Sequence, residues 1–162
     1  MVPHLDAAYN LARWLSRREQ DAEDLTQEAF VRAWQFFDGY RGGDSRAWLL
    51  TIVRNTCYSW LQRTRPQEMT DEFDEAVHGV DAVVADPEML LLSKSTASLV
   101  QRALEQLPVG LREMLVLREL EGLSYKEIAD VVGVPIGTVM SRLARARGRV
   151  RKLLSAEIEV VR

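Results

Sequence analysis

Apolar residues recur three and four positions apart along most of the chain, the spacing of one face of a helix. Leu5, Ala8, Tyr9, Leu11, Ala12 and Leu15 make the first stripe. A second follows Asp21, a candidate helix N-cap, and carries Leu25, Ala29, Val31 and Trp34. Gly39 and the Gly42-Gly43 pair mark a turn. The third stripe starts near Asp44 or Ser45 and runs through Trp48, Leu49, Ile52, Val53, Thr56, Cys57, Trp60 and Leu61 until Pro66 stops it. Four more helices are predicted over 99–107, 111–120, 124–132 and 135–154. No segment alternates with period two between hairpin turns, and no repeat is evident. The pattern predicts an all-α protein.

Charge divides the chain more sharply than hydropathy does. Residues 1–65 hold nine basic and eight acidic side chains, and residues 89–162 hold twelve and eight. Between them, residues 66–88 carry Glu68, Asp71, Glu72, Asp74, Glu75, Asp81, Asp86 and Glu88 with no Lys or Arg. Like charges repel and extend a chain, so 66–88 reads as an acidic flexible linker between two small helical domains, 1–65 and 89–162. The linker is either a solvated spacer or a charged strand suited to a basic channel in a partner. Aromatic residues are partitioned too: eleven of the twelve precede residue 74. Trp34, Phe36, Phe37 and Trp48 are expected in the core before they are expected as surface platforms.

The rest of the composition narrows the chemistry. The formal net charge is −3, and no apolar run approaches the roughly 18 residues of a membrane span. No Sec-type leader is read at the start. Cys57 has no partner for a disulfide, and His4 and His78 cannot complete a zinc site with it. Neither histidine lies in a patterned segment, and no glycine-rich phosphate loop occurs. An enzyme, a metal and a cofactor are therefore not expected, and a reducing cytoplasm fits. Cys57 falls on the apolar side of its helix beside Val53 and Trp60, as a buried structural thiol would.

The most specific local signal runs from Leu123 to Val139. Ser124 and Glu127 have the spacing of a capping box, Ala129 keeps the first helix slim at a crossing, and Gly133 and Pro135 suit a tight turn into a second helix. This is the grammar of a helix-turn-helix. The second helix carries Ile136, Val139, Leu143, Ala146, Val150 and Leu153 on one side. Thr138, Ser141, Arg142, Arg145, Arg149 and Lys152 lie on the other. From Val131 to Ala156 there are six basic residues and no acidic one, whereas a merely solvated face mixes in glutamates. Such a helix can place arginines on base edges in a major groove and on phosphates beside it. A monomeric module this small binds DNA weakly alone and needs a partner for affinity.

The segment Asp21-Ala22-Glu23-Asp24-Leu25-Thr26-Gln27-Glu28-Ala29-Phe30-Val31-Arg32-Ala33-Trp34 resembles the core-polymerase-binding helix of bacterial sigma factors. Tyr40-Arg41-Gly42-Gly43-Asp44-Ser45-Arg46-Ala47-Trp48-Leu49 and Ile52-Val53-Arg54-Asn55-Thr56 resemble their promoter-melting element. Leu117–Ala129 and Gly137–Arg147 resemble their −35-binding domain. All occur in family order over nearly the whole chain, and the resemblance is to the extracytoplasmic-function (ECF) group, group IV of the sigma-70 family. It implies a three-helix region 2 and a four-helix region 4 joined by the acidic linker.

The resemblance also implies roles. Core polymerase, through the clamp coiled coil of its largest subunit, would be met by Asp21, Glu23, Asp24, Gln27, Glu28 and Arg32, with the flap as a second contact. Recognition and melting of the −10 region, captured as a single strand, would fall to Tyr40, Arg41, Gly42, Gly43, Asp44, Arg46, Arg54, Asn55, Tyr58 and Arg63. The −35 duplex would be read by Tyr125, Lys126, Thr138, Ser141, Arg142, Arg145, Arg147 and Arg149. An anti-sigma factor would control the whole, and no membrane contact is implied. The chain departs from the family at Met140, where Lys or Arg is usual, and at Ala144, where a large residue is usual, so its −35 sequence is its own.

Two other readings stand beside this one. A stand-alone helix-turn-helix repressor or activator accounts for the second half, but not for the aromatic Gly-Gly loop or the acidic stretch. An interaction module or RNA-binding regulator would call for basic charge among the aromatics, where the first 65 residues sum to only +1.

Overall fold

The computed structural model describes residues 4–40, 42–72 and 94–161. All regular structure among them is helical. The first half holds α1 (Leu5–Ser16), α2 (Glu19–Gln35) and α3 (Ser45–Thr64), with a 3-10 turn at Phe37–Gly39. The second holds α4 (Lys94–Gln106), α5 (Val109–Leu115), α6 (Tyr125–Val132) and α7 (Ile136–Val161), with a π turn at Val116–Leu120 extending α5.

Small residues decide how the first three helices meet. Ala7, Ala8 and Ala12 of α1 and Ala22, Ala29 and Ala33 of α2 are buried, while α3 supplies Leu49, Leu50, Val53, Cys57 and Leu61. Alanine seams let helix axes approach closely, so the leucines Leu11, Leu15 and Leu25 fill the remaining core. Two hydroxyls in this core are satisfied locally. Thr26 Oγ1 donates to the Ala22 carbonyl at 2.6 Å and Thr56 Oγ1 to that of Ile52 at 2.7 Å.

The helix limits follow from caps, with one correction. Asp44 caps α3 by accepting from the Arg46 and Ala47 N–H groups at 3.0 and 3.3 Å, and Pro66 ends that helix as anticipated. Asp21 does not cap α2. The helix begins two residues earlier at Glu19, and the Asp21 carboxylate pairs instead with Arg65 at 3.0 Å. The beginning of the predicted linker is also structured: Pro66–Glu72 forms a 3-10 helix. Its Glu68 lies 3.4 Å from Arg17 and 3.7 Å from Arg65, cations that offset the local excess of acid. Residues 73–93, with the remaining linker acids, lie outside the described residues.

In the second half Val109–Leu117 is buried throughout, and α4, α6 and α7 close around it with Leu104, Ile128, Val131, Val139, Leu143 and Ala146. Within this apolar run stand two charged residues, Arg112 and Glu113, both buried. Arg112 Nη1 donates to the Glu105 and Leu107 carbonyls, covering the C-terminal end of α4. One apolar cluster continues through both halves of the molecule, with α1 and α3 packed on α5 and α6.

Candidate nucleic-acid interface

The capping box fixes where the helix-turn-helix pair begins. Ser124 Oγ accepts from the Glu127 N–H at 3.1 Å, and Glu127 Oε1 accepts from the Ser124 N–H at 2.9 Å. At the far end of α6, Gly133 takes φ +77°, a conformation that favours glycine, and both Gly133 and Val134 return their N–H groups to the Ala129 carbonyl. Pro135 then leads into α7, its carbonyl accepting from Thr138 and Val139. With Val139, Leu143 and Ala146 facing the core, Gly137, Met140 and Ser141 are exposed at the start of α7. Thr138, Arg142, Arg145 and Arg149 are half-buried on the same helix, and Lys126 is exposed on α6. Small residues at the tip allow close approach to base edges, while arginines reach from the flank.

Arg147 and Tyr125, both expected at the −35 duplex, are engaged inside the protein. Arg147 Nη2 donates to Glu119 at 2.9 Å. Burial alone would depress its pKa, but Glu119 and the Tyr125 hydroxyl hold it above the ordinary value. The Tyr125 ring in turn lies under the Arg118 guanidinium, 4.8 Å from the centroid. Arg147 thus serves to position the start of α6 in this arrangement.

The loop before α3 is built on two glycines. Gly42 and Gly43 take φ +81° and +96°, where any other residue would be strained. The Tyr40 hydroxyl donates to the Gly43 carbonyl at 2.7 Å, and its ring packs on Phe37 and Trp48 at centroid distances of 6.2 and 5.2 Å. Arg41 lies outside the described residues. Trp34, Phe36 and Phe37 are not in the core: they are 78%, 59% and 52% exposed. The alanines of α2 already form its seam, and a helix that close to its neighbours has no space for an indole. Val31 is exposed for the same reason, and only Trp48 of the four aromatics is half-buried. An open aromatic surface beside a glycine loop can stack unpaired bases at roughly 1–3 kcal/mol each.

The outer face of α2 is polar. Glu23, Asp24 and Gln27 are exposed, and Glu28 pairs with Arg32 at 3.0 Å across one turn. Asp21, held by Arg65, sits half-buried at its edge. No helix among the described residues is long and apolar enough to cross a membrane.

Comparison with known proteins decides the family. Sigma-70 region 2 matches residues 2–67, and sigma-70 region 4 matches residues 97–150. The ECF RNA polymerase sigma-E factor of Escherichia coli K12 is 40% identical over 134 residues, covering 78% of this chain and 70% of that protein. The chain belongs to the ECF RNA polymerase sigma factors. The ECF sigma factor SigE of Mycolicibacterium smegmatis is 36% identical over 155 residues, covering 94% of this chain and 59% of that protein. Among solved structures, the sigma factor RpoE of Bartonella quintana, in complex with the anti-sigma factor NepR, superposes with TM-score 0.72 and 32% identity over 95% of this chain and 93% of that one. CnrH, in complex with the cytosolic domain of CnrY, gives 0.68 and 29% over 96% and 84%. Sigma factors are transcription initiation factors.

In this sigma factor the two halves share more than apolar contact. Arg54 of α3 donates from Nε and Nη2 to the two carboxylate oxygens of Glu113 on α5, at 2.9 and 3.2 Å. The Tyr58 hydroxyl donates to the same carboxylate at 2.8 Å. Glu113 is wholly buried, and although desolvation works against the charge of Arg54, the Glu113 carboxylate holds the guanidinium above its ordinary pKa. Arg46 donates to the Glu121 carbonyl at 3.1 Å and lies 3.6 Å from the Glu127 carboxylate, and Asn10 reaches the Glu121 side chain at 3.3 Å. Arg46, Arg54 and Tyr58, all expected to meet −10 DNA, are therefore held by the other half. Asn55 and Arg63 remain exposed on α3.

Sequence reasoning missed Glu113, Glu121 and Arg65. Glu113 did carry one signal, an acid inside the run Leu111-Arg-Glu-Met-Leu-Val-Leu117, where a buried acid needs a partner. That partner lies 59 residues away in sequence, so periodicity could not name it.

Proposed function

We propose that this sigma factor directs core RNA polymerase to promoters through three surfaces. The polar face of α2, with Glu23, Asp24, Gln27, Glu28 and Arg32 and with Asp21 at its edge, docks on the clamp coiled coil, and the second half meets the flap. The start of α7, with Thr138, Ser141, Arg142 and Arg145, reads the −35 duplex, supported by Lys126, Arg149, Tyr125 and Arg147. The segment from Tyr40 to Arg63, with Arg41, Gly42, Gly43, Asp44, Arg46, Arg54, Asn55 and Tyr58, recognises and melts the −10 region. The two domains and the acidic linker keep the bounds 1–65, 66–88 and 89–162, the linker passing through the basic interior of the polymerase. An anti-sigma factor restrains the protein in the cytoplasm. The protein forms and breaks no covalent bonds; catalysis belongs to the polymerase.

The observation that carries this reading is the coexistence on one chain of a recognition helix free of acids from Ile136 to Ala156 and an exposed aromatic face at a Gly-Gly loop. A duplex-binding repressor has use for the first and none for the second. Binding to core polymerase and to duplex DNA at physiological salt, measured by fluorescence anisotropy, tests it. We expect nanomolar binding to core, negligible binding to duplex alone, and selection of a common −35 sequence by the reconstituted holoenzyme that Arg142→Ala weakens. Tight specific duplex binding without affinity for core would instead make the protein an autonomous repressor.

A further inference from the structure

We infer that Glu113 is an internal stand-in for a DNA phosphate: Arg54 and Tyr58 form a phosphodiester site for the unpaired −10 strand, and the free chain fills that site with its own carboxylate. The inference rests on the sigma reading above and adds to it a built-in competitor. Three donors, Arg54 Nε, Arg54 Nη2 and the Tyr58 hydroxyl, converge on one planar anion within 2.8–3.2 Å. A guanidinium fork matches two oxygens of a phosphodiester as well as it matches a carboxylate. Asn55 is exposed beside Arg54 on the same helix, so a strand laid there would meet a further polar group.

The acid is not explained by stability. Glu113 sits in an apolar helix, where an aliphatic side chain of similar volume generally stabilises as much as a buried ion pair or more. Its effect is to make closure of the halves and occupation of the site by DNA mutually exclusive. Arg46, bound by the Glu121 carbonyl and the Glu127 carboxylate, follows the same rule a few turns away. Met140 and Ser141 stay exposed meanwhile, so closure engages Arg46, Arg54 and Tyr58 of the −10 surface and leaves the tip of α7 open.

Geometry demands that the closed form give way on a promoter. By their labels the −35 and −10 elements are about 25 base pairs apart, which at about 3.4 Å per pair is about 85 Å along the duplex. A compact chain of 162 residues has a radius of gyration of about 15 Å and cannot reach both. Opening on polymerase therefore frees Arg54 and Tyr58 at the moment single-stranded DNA becomes available.

The test uses the full chain and a fluorescent single-stranded oligonucleotide carrying the non-template −10 sequence that the holoenzyme selects. Glu113→Gln removes the charge at constant shape. The free variant is expected to bind the oligonucleotide about tenfold more tightly than the wild type at low salt. Its salt slope should steepen by about 0.7, the value of one phosphate contact on a single strand. Adding Arg54→Ala should cancel the gain, while transcription by the Glu113→Gln holoenzyme stays at the wild-type level. An unchanged affinity in a folded variant overturns the proposal. Should the variant not fold, the wild type still decides: dyes at Gln62 and Gln106, both exposed, must move apart as the oligonucleotide saturates. Binding without separation overturns the idea of competition. A wild-type holoenzyme that selects no promoter would sink the sigma reading instead, a result distinct from either.

Discussion

Cys57 lies wholly buried on α3, and burial, with smaller effects from Glu113 and Glu28, pushes its thiol up to about 12. The thiolate is the reactive form. At pH 8 an ordinary cysteine, with a pKa near 8.5, is about one quarter thiolate, and a group at about 12 is ionised roughly one part in ten thousand. Labelling of native protein with a disulfide reagent should run about a thousandfold slower than labelling of a free cysteine, and denaturant should restore the ordinary rate. Rapid labelling of native protein would place the thiol at a surface. Its neighbours in the stripe, Val53 and Leu61, gave this burial away in the sequence. Trp34 shows the opposite case. Large aromatics suggest a core, but Ala22, Ala29 and Ala33 had already taken the buried side of α2, and the spacing of small residues was the signal to weigh.

Helix ends carry the element-scale argument, because two of them face one another across the halves. Asp44 caps α3, and Glu127 completes the box that starts α6. The Asp44 carboxyl is held below its usual value, first by its contact with the Glu127 carboxyl. Partial burial opposes the shift, and the Ala47 and Arg46 N–H groups and the Arg46 charge add to it. A depressed carboxyl pKa contributes stability above the unfolded value, about 3.9 for Asp, and loses it as pH falls through the lower folded value. Asp44→Asn keeps a capping oxygen but cannot ionise. The stability difference between wild type and this variant, from urea unfolding, should therefore be constant from pH 5 to 7 and shrink below pH 4. A difference that grows on acidification would contradict the assignment. The number and order of helices were legible because Pro66, Gly133, Pro135 and the Ser124–Glu127 pair are local devices. The start of α2 was not, since Asp21 found Arg65, 44 residues on. Nor was the Pro66–Glu72 turn, which draws on Arg17 just past the end of α1.

Across the whole molecule the first half sums to +1 over residues 1–65 and to −2 once Glu68, Asp71 and Glu72 of its closing turn are included, against +4 for residues 89–162, so their closure draws only a small part from overall charge. It depends on local sorting, with Glu113 and Glu127 of the second half set against Arg54 and Arg46 of the first. The apolar cluster running through both halves adds the non-directional part. Unfolding of the free wild type in a calorimeter should then be a single transition. Glu113→Ala leaves Arg54 and Tyr58 without this acceptor, and losing one partner of a buried pair usually costs about 3–5 kcal/mol. The molecule has a cheaper response than bearing that cost, because separating the halves returns Arg54 to water. The loss is therefore capped at the free energy of closure, and the single transition should divide into two, one for each half. High salt should not imitate the substitution, since a pair this deeply buried is screened far less than a surface one. One transition merely lowered by the full penalty would mean that the halves cannot part. In that case a single rigid body of this size would face a promoter whose two elements it is too short to span.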